Sequence, residues 1–522
     1  MFAHIKQNKV FLLMLLSGLV VFLYSYWADI YRPGMMFDGG WYSIWADQQR
    51  YYEQARAISE FRLSAENFFY PILYPLLGSF FIKLFTRDPF LVVNVGLFLC
   101  TIGILYLLVE KIFDKQKAIF SVFVLLATQR FIYDFVTPWT TSVTTPLFLA
   151  SLYILLVASY SKRNVILLTV FYALAFFARI ADIVFFIPLL VAYFFIHKER
   201  KPYDALISVG ILTLCAGIWA FINQLVSGNI LGPYIVRNTT KFTFQTDLSN
   251  ILEKIIGYFA NSYIFHRQVQ PFSSPIVSVF PFFLLLILFL PVSIKYLKNN
   301  KQLHVHAWIA LSFFIWLASH IIFAGFAPYT LKNLSAHYAK VWYPVGILYG
   351  MYIVEGLLDK KKLNRIFIPV IIFGTVLLII PWTIQKLKPY PLNRKGWIVR
   401  SKINTEHAQN IIDSNDNSPW TSGKARKRGD SIVIDMKKNL TISRLQFVDD
   451  PAGAATNFDT FISSDMKSWE KLAPDYTYYV RRDYGWDVVG YMKKGRYIRL
   501  ILNETSLTDP WIIKEINVFG YE

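Results

Sequence analysis

Long apolar runs alternate with short polar segments over the first three quarters of the chain. A helix that crosses a bilayer needs about 20 apolar residues, because its backbone must satisfy its own hydrogen bonds across about 30 Å. The runs that fit, with several short enough to be broken or tilted spans, are 10–27, 89–109, 118–129, 139–160, 164–178, 183–196, 204–222, 275–293, 306–324, 340–356 and 366–383. The pattern predicts a multi-pass α-helical membrane protein with about 11 transmembrane helices.

Two apolar runs need separate interpretation. The run 10–27 follows two lysines, as a signal peptide would, but it is long and no small-residue cleavage pattern follows it, so we interpret it as an uncleaved anchor. The run 68–85 contains Pro71, Pro75 and Lys83. We interpret it as a helix at the outer membrane interface, with a true span as the alternative.

The basic residues orient these spans. The chain has 53 Lys and Arg against 34 Asp and Glu, a net charge of +19, and its basic clusters lie at 6–9, 111–117, 162–163, 198–201, 295–301 and 360–365. With 11 spans every cluster falls on the cytoplasmic side, as the positive-inside rule requires. The prediction is therefore a protein of the cell (inner) membrane whose N-terminus is cytoplasmic. The loops 28–88 and 223–274 and everything after about 384 would be periplasmic or extracellular.

Composition excludes several classes of protein. The chain is 55% hydrophobic and 17% charged, whereas soluble domains are about 45–50% apolar and about 25% charged. Its two cysteines, Cys100 and Cys215, are too few for a disulfide scaffold or a thiolate zinc cluster. No long basic run or recognition motif points to nucleic acid, so the expected partner is the lipid bilayer.

The pattern changes after residue 391. Short alternating runs separated by turn residues replace the long apolar ones, and they lie at 431–435, 441–448, 458–463, 497–501 and 513–519. This period of two is typical of a small antiparallel β-sandwich. We therefore predict a transmembrane domain at 1–390, a linker at 391–418 and a β-sandwich jelly roll at 419–522.

The first outer loop carries candidate chemistry. If residues 46–60 are helical, Asp47, Tyr51 and Gln54 share one face, and Asp47 lies near the helix start, where the helix dipole favours a carboxylate. Asp47 is then either a functional carboxylate or only a helix cap.

The spacing Asp47, Tyr51, Ala55, followed by the two Tyr-Pro pairs that begin at Tyr70 and Tyr74, resembles the amino half of the membrane glycosyltransferases with the GT-C fold. That group includes the aminoarabinose transferases of lipid A, the protein O-mannosyltransferases and the catalytic subunit of oligosaccharyltransferase. The resemblance extends over roughly 1–380. It implies that Asp47 is the general base of an inverting transfer from a polyprenyl-phosphate sugar. Gln48 replaces an acid that is frequent in the family.

The same resemblance implies further site residues. Asp134 is expected to orient the acceptor, or else to form an interfacial ion pair with Arg130. Cations would bind the donor phosphate, although each could instead extend to the lipid headgroups; the candidates are Lys83, Arg179, Arg267 and Lys340. Side chains expected to contact sugar or acceptor are Tyr51, Tyr70, His266, His337 and Tyr338.

No cofactor is certain from the sequence. Three outer-loop histidines lack the helical spacing of a zinc motif, so a catalytic zinc ion is not favoured. A divalent Mg²⁺ or Mn²⁺ ion on Asp47 and Asp134 is left open, since some GT-C relatives use one.

Four segments of the tail resemble the discoidin, or factor V/VIII type C, module; they are 431–436, 461–469, 495–500 and 511–520. The resemblance implies binding of glycans or lipid headgroups by loops at one end, with simple packing on the membrane domain as the alternative.

Together these features predict a glycosyltransferase that moves a sugar from a polyprenyl-phosphate donor to an envelope glycan, lipid or protein on the exterior face of the membrane. The alternatives are a non-catalytic glycan-binding membrane protein and a lipid-sugar transporter or flippase. A transporter would need paired ionisable residues within its spans, and the spans are nearly free of charge.

Overall fold

The computed structural model divides the chain into two compact units, one mainly helical and one mainly β. It describes residues 9–28, 46–86, 88–196, 202–233, 303–326, 340–357, 390–413, 415, 418–449, 455, 457–472 and 486–521. The predicted spans 275–293 and 366–383 lie outside these ranges, as do Arg267, His266, His337 and Tyr338.

Helices, most of them apolar, build the first unit, apart from Ala28 and residues 46–49, which belong to the second unit. In chain order they are α1 (Lys9–Ala28), α2 (Ala46–Ser59), α3 (Leu73–Ser79), α4 (Phe90–Ile112), α5 (Lys115–Ala127), α6 (Gln129–Val136), α7 (Thr141–Leu156), α8 (Lys162–Ala178), α9 (Ile183–Ile196), α10 (Pro202–Ser227), α11 (Leu303–Phe326) and α12 (Trp342–Leu357). A short 3₁₀ turn, Ile180–Asp182, joins α8 to α9.

Three helices of the described part are long and apolar enough to cross a membrane, namely Lys9–Trp27, Phe90–Ile112 and Pro202–Ser227. Shorter apolar helices cover Thr141–Leu156, Ile180–Ile196 and Val305–Ser319. The predicted count of 11 spans therefore stays a prediction. Helix α3 has only seven residues and is followed by turns. At 1.5 Å per residue it is about 10 Å long, so the run 68–85 is not a single helical span.

The helices share one apolar core. Residues from α1, α4 to α9, α11 and α12 contribute to it, with aromatic contacts such as Phe148 on Trp342 (5.3 Å between ring centroids) and Phe98 on Phe135 (5.4 Å). Helix α6 was not expected as an element, yet Phe131, Ile132, Phe135 and Val136 are all buried. This packing stabilises a short helix that propensity alone would not.

The second unit is an eight-stranded antiparallel sheet. The strands are β1 (Tyr390–Pro391), β2 (Ile398–Ser401), β3 (Trp420–Ala425), β4 (Ser431–Asp449), β5 (Phe458–Ser463), β6 (Glu470–Lys471), β7 (Trp486–Leu502) and β8 (Pro510–Tyr521). The strand order is β1-β8-β4-β7-β5-β6, with β2 on β4 and β3 on β8. All five alternating runs predicted as strands lie in observed strands, as the period of two requires.

The long strand β4 joins the two parts of this sheet. Its first residues pair with β2 and β7, and its last residues pair with β7 and β8, with shifts of register after Asp435 and Ile442. Such shifts bend a strand. They let β4 follow a sheet that surrounds one core, in which Trp420 lies edge-on to Trp511 (5.6 Å).

Residues 391–418 differ from the predicted linker. Strand β1 pairs with β8, β2 pairs with β4, and a 3₁₀ helix covers Thr405–Ile412. Trp397, Val399 and Ile411 lie in the core of the β unit. The segment has no regular alternation because its apolar residues come from a short strand, a turn and a 3₁₀ helix. Its composition therefore looks like that of a linker.

Candidate functional site

Helix α2 carries the predicted catalytic carboxylate. The observed bounds, Ala46–Ser59, match the predicted helix, and Asp47 lies in its first turn. Tyr51 follows one turn later and is almost fully buried. The helix face predicted from the spacing is therefore present. It runs from Asp47 at the start of the helix to Tyr51, which belongs to a packed group of aromatic side chains.

That aromatic group fixes the Tyr-Pro segment against α2. The ring of Tyr51 lies 4.7 Å from that of Tyr70 and 5.5 Å from that of Tyr74. Gln54 holds the backbone: its Oε1 accepts from the amides of Phe69 (3.1 Å) and Tyr70 (3.0 Å), and its Nε2 donates to the carbonyl of Tyr70 (2.9 Å). Because the Gln54 amide is buried and makes these three hydrogen bonds, it fixes the backbone at Phe69 and Tyr70 relative to α2.

Tyr74 extends the same group to α4. Its hydroxyl donates to Asn94 Oδ1 (2.9 Å), and its ring stacks on Phe90 at 4.6 Å. Gly78 permits this contact, since a Cβ atom there would lie 2.6 Å from Phe90 Cζ. The spacing of the sequence motif thus reflects a packed unit of α2, α3 and α4.

A second group contains two of the predicted phosphate-binding cations. Arg179 pairs with Asp182, with 2.7 Å between Nε and Oδ1. Thr144 Oγ1 donates to the other carboxylate oxygen of Asp182 (2.8 Å). Lys340 interacts electrostatically with Asp182 and donates to Ser142 Oγ (2.7 Å). The group therefore holds two cations and one carboxylate among hydroxyls, and we refer to Ser142, Thr144, Arg179, Asp182 and Lys340 as the cationic cluster.

The cationic cluster is mostly buried, although the side chain of Arg179 is 20% exposed. Lys340 is 0% exposed and Asp182 is 5% exposed. The Lys340 ammonium also lies 4.5 Å from the centroid of the Phe135 ring, an orientation that attracts a cation. Burial of this kind strengthens an interaction with an anion, because little water remains to screen it.

The cluster is formed at the ends of several elements. Phe135 belongs to α6, Ser142 and Thr144 to the first turn of α7, and Asp182 to the turn before α9, while Lys340 precedes α12. The predicted topology assigns all four segments to the exterior side. At the other ends of α5 and α12, Lys117 contacts both Asp114 and Glu355 (2.8 Å). Those residues lie on the predicted cytoplasmic side.

The remaining predicted residues have different surroundings. Lys83 is exposed in the turn after α3, and no hydrogen bond or ion pair among the described residues links it to either group. Asp134 is fully buried in α6, one residue before Phe135. The side chain of Arg130, its predicted partner, lies outside the described part.

Sequence reasoning missed the hydroxyls of Ser142 and Thr144. They lie in a hydroxyl-rich stretch, 137–145, which is a signal that could have been used. The described residues contain no group of three or more His, Cys, Asp or Glu side chains arranged to hold a metal ion.

The β unit has its own ion pair. Arg496 donates two hydrogen bonds to Asp435, from Nε (2.7 Å) and from Nη2 (2.9 Å). This bidentate contact lowers the pKa of Asp435 to about 2. Asp465 stabilises the turn after β5 by accepting from the amides of Lys467 (2.8 Å) and Ser468 (2.9 Å). These residues stabilise the scaffold rather than form a reactive group.

Two family models match separate parts of the chain. Residues 70–220 match the family model of the dolichyl-phosphate-mannose-protein mannosyltransferases, and residues 399–516 match that of the F5/8 type C domain. No curated protein sequence matches the chain.

The solved structures that are similar to part of this chain include three CBM32 domains. A CBM32 domain of Clostridium perfringens, CpGH89CBM32-6, is 22% identical with a TM-score of 0.20 and covers 24% of this chain and 94% of that one. CBM32-1 from a family 31 glycoside hydrolase of the same organism is 18% identical, with a TM-score of 0.21 and coverage of 24% and 96%. CpGH89CBM32-5, solved with GalNAc-β-1,3-galactose, is 15% identical, with a TM-score of 0.22 and coverage of 25% and 100%.

The matched regions agree with the two structural units. The first family model includes Tyr70, Asp134, Arg179 and Asp182, and the second begins within β2. These matches support a membrane glycosyltransferase of the GT-C kind that carries a C-terminal F5/8 type C domain.

Proposed function

We propose that the protein is an inverting glycosyltransferase of the cell (inner) membrane. It moves one sugar from a polyprenyl-phosphate donor to an envelope glycan, lipid or protein on the exterior face. The observation that carries this proposal is the cationic cluster. The cations Arg179 and Lys340 meet around Asp182. Arg179 and Asp182 lie within residues 70–220, which match the family model of the dolichyl-phosphate-mannose-protein mannosyltransferases.

In the proposed reaction Asp47 takes a proton from a hydroxyl or amine of the acceptor. The freed electron pair attacks the anomeric carbon and forms the new glycosidic bond. The bond from that carbon to the phosphate oxygen breaks, and its electrons remain on the departing polyprenyl phosphate. Attack and departure on opposite faces invert the anomeric centre. A general base typically contributes roughly 10²–10⁴-fold to such a step.

Arg179 and Lys340 would stabilise the leaving group. A lipid phosphate gains negative charge as the glycosidic bond breaks, and preorganised cations in a water-poor environment stabilise that charge without reorganisation. Asp182 supports this role because it holds Arg179 at 2.7 Å while leaving the group with a net positive charge. Tyr51 and Tyr70 are proposed to contact the sugar or acceptor.

The orientation of the protein is part of the proposal. The N-terminus would be cytoplasmic and the β unit periplasmic or extracellular. One structural contrast supports this orientation: the hydroxyl-rich cationic cluster lies at one set of helix ends, and the Lys117, Asp114 and Glu355 group lies at the other set. The β unit would bind a carbohydrate acceptor, in keeping with its family match.

A purified variant tests the role of Asp47. Asp47→Asn should lower sugar transfer by about 10²–10⁴-fold while the protein keeps its thermal stability. Turnover would be followed as free polyprenyl phosphate released from a lipid extract of the cells that make the protein. Glu66→Gln is the matched control, because Glu66 is an exposed carboxylate of the same loop. Near-normal turnover by Asp47→Asn would show that Asp47 serves only as a helix cap.

A further inference from the structure

Two buried hydroxyl groups lie next to the cationic cluster. Thr137 and Thr141 begin and end the turn that joins α6 to α7, and their side chains are 1% and 3% exposed. Within the part of the chain that the structure describes, neither hydroxyl oxygen has a hydrogen-bond partner. Buried hydroxyls are normally paired, and an unmade hydrogen bond in the interior is costly.

Lys340 touches both sides of that turn. Its ammonium lies over the ring of Phe135, two residues before Thr137, and donates to Ser142, the residue after Thr141. The turn therefore lies beside a fully buried cation. Hydroxyl donors beside a buried cation match an anion with several acceptor oxygens, such as a phosphate.

We infer that Thr137 and Thr141 donate hydrogen bonds to the phosphate oxygens of the lipid donor. This inference rests on the proposed function and extends it, because it adds two binding residues to the phosphate site. The hydroxyls stay unpaired until a lipid phosphate binds beside Lys340. Binding of the phosphate then supplies hydrogen-bond acceptors for both hydroxyls. The free-energy cost of the two unmade hydrogen bonds in the free protein is therefore removed when the donor binds.

The test uses replacements that keep the shape of the side chain. Thr137→Val and Thr141→Val remove only the hydroxyls. Thr145→Val is the matched control, because Thr145 is buried in the same helix but donates to the carbonyl of Thr141 (2.8 Å). Lys340→Met removes the cation. The full-length protein in detergent would be titrated with farnesyl phosphate, a short polyprenyl monophosphate, and with farnesol, which lacks the phosphate, while its melting temperature is measured.

We expect farnesyl phosphate, but not farnesol, to raise the melting temperature of the wild type and of Thr145→Val. Each of the other two threonine variants should bind farnesyl phosphate roughly tenfold more weakly, since a hydrogen bond to a charged group is lost. Without ligand their melting temperature should equal or exceed that of the wild type, because no existing hydrogen bond is broken.

Several outcomes would overturn the inference. Wild-type affinity in both threonine variants, with loss of binding only in Lys340→Met, would leave the proposed function intact and remove the threonines from the site. Lower stability of these variants without ligand would show that their hydroxyls are already paired. An equal response to farnesol would contradict recognition of the phosphate. Absence of any response to farnesyl phosphate in the wild type would contradict the proposed donor class as well.

Discussion

Lys340 is a costly residue to bury. Moving a lysine or a carboxylate out of water costs several kcal/mol for each ion even after relaxation. Lys340 and Asp182 offset part of this cost through Ser142, Thr144, Arg179 and their mutual attraction. Well-packed hydrophobic residues in place of buried ions are often at least as stabilising. The presence of charge at this depth therefore favours a role in binding an anion.

The pair Asp435 and Arg496 predicts how the β unit responds to acid. The pKa of Asp435 in the folded unit is about 2, against about 3.9 in an unfolded chain. Because the folded value is lowered, the stabilisation is complete above about pH 4 and is lost as the pH falls toward 2. Asp435→Asn should remove this stabilisation at neutral pH and flatten the loss in acid.

Scanning calorimetry of the full-length protein between pH 7 and pH 2 would measure that response. The control is Glu470→Gln, because the carboxylate of Glu470, which pairs with Lys493, is 70% exposed, and ion pairs of exposed groups contribute little. An unchanged acid profile in Asp435→Asn would show that the Asp435–Arg496 contact does not stabilise the folded unit.

Among the elements, the contact of α3 with α4 depends on a glycine. Gly78→Ala would place a methyl group 2.6 Å from Phe90, whose ring stacks on Tyr74. Overpacking of this kind typically costs about 1–3 kcal/mol, so the variant should melt earlier and transfer sugar more slowly. Gly96→Ala on α4 is the control, since open space surrounds it and alanine stabilises a helix by about 1 kcal/mol. Equal melting temperatures would show that α3 adjusts without strain.

Some elements could be read from the sequence and others could not. The helix of Asp47 and the five alternating runs of the β unit followed from periodicity, because one face of each is buried. Helix α6 did not, because its helical spacing of apolar residues extends over only eight residues. The segment 391–418 did not, since its apolar residues show no sustained period. Their structure depends on packing against distant residues, as with Trp397 and Ile411 in the core of the β unit.

The candidate site was predictable only in part. Arg179 and Lys340 could be named as cations near span ends, and the structure brings them together around Asp182. Their meeting with Ser142 could not be inferred, because Ser142 and Lys340 are 198 residues apart in the chain. Lys83 looked equivalent to them in the sequence, yet its side chain is exposed. The local sequence pattern identifies cations near span ends, whereas tertiary packing determines which of those cations come together in the cationic cluster.

For the whole molecule, the division into two units predicts what truncation does. The chain should be cut before β1, since Tyr390 and Pro391 already pair with β8. If the β unit recruits the acceptor, truncation should raise the acceptor concentration for half-maximal rate and spare the maximal rate and donor binding. A tethered binding module supplies effective concentration, not transition-state stabilisation. Steady-state kinetics of the truncated enzyme would measure this.

Adding the separate β unit back in solution is the control for truncation. It should not restore the acceptor dependence, because the tether is missing. A collapsed maximal rate with unchanged acceptor dependence would refute recruitment and indicate a structural role for the β unit.

Mass spectrometry of membrane lipids and envelope glycans would show whether the protein transfers sugar from a lipid phosphate held by the cationic cluster. Cells lacking the gene would receive the wild type, Lys340→Met or Lys115→Met, the last being an exposed lysine at the opposite helix ends. We predict one sugar-sized mass increment on an acceptor with the wild type and Lys115→Met. With Lys340→Met we predict its loss and an accumulation of polyprenyl-phosphate sugar. Identical lipid and glycan profiles in all strains, at equal protein levels, would contradict the account.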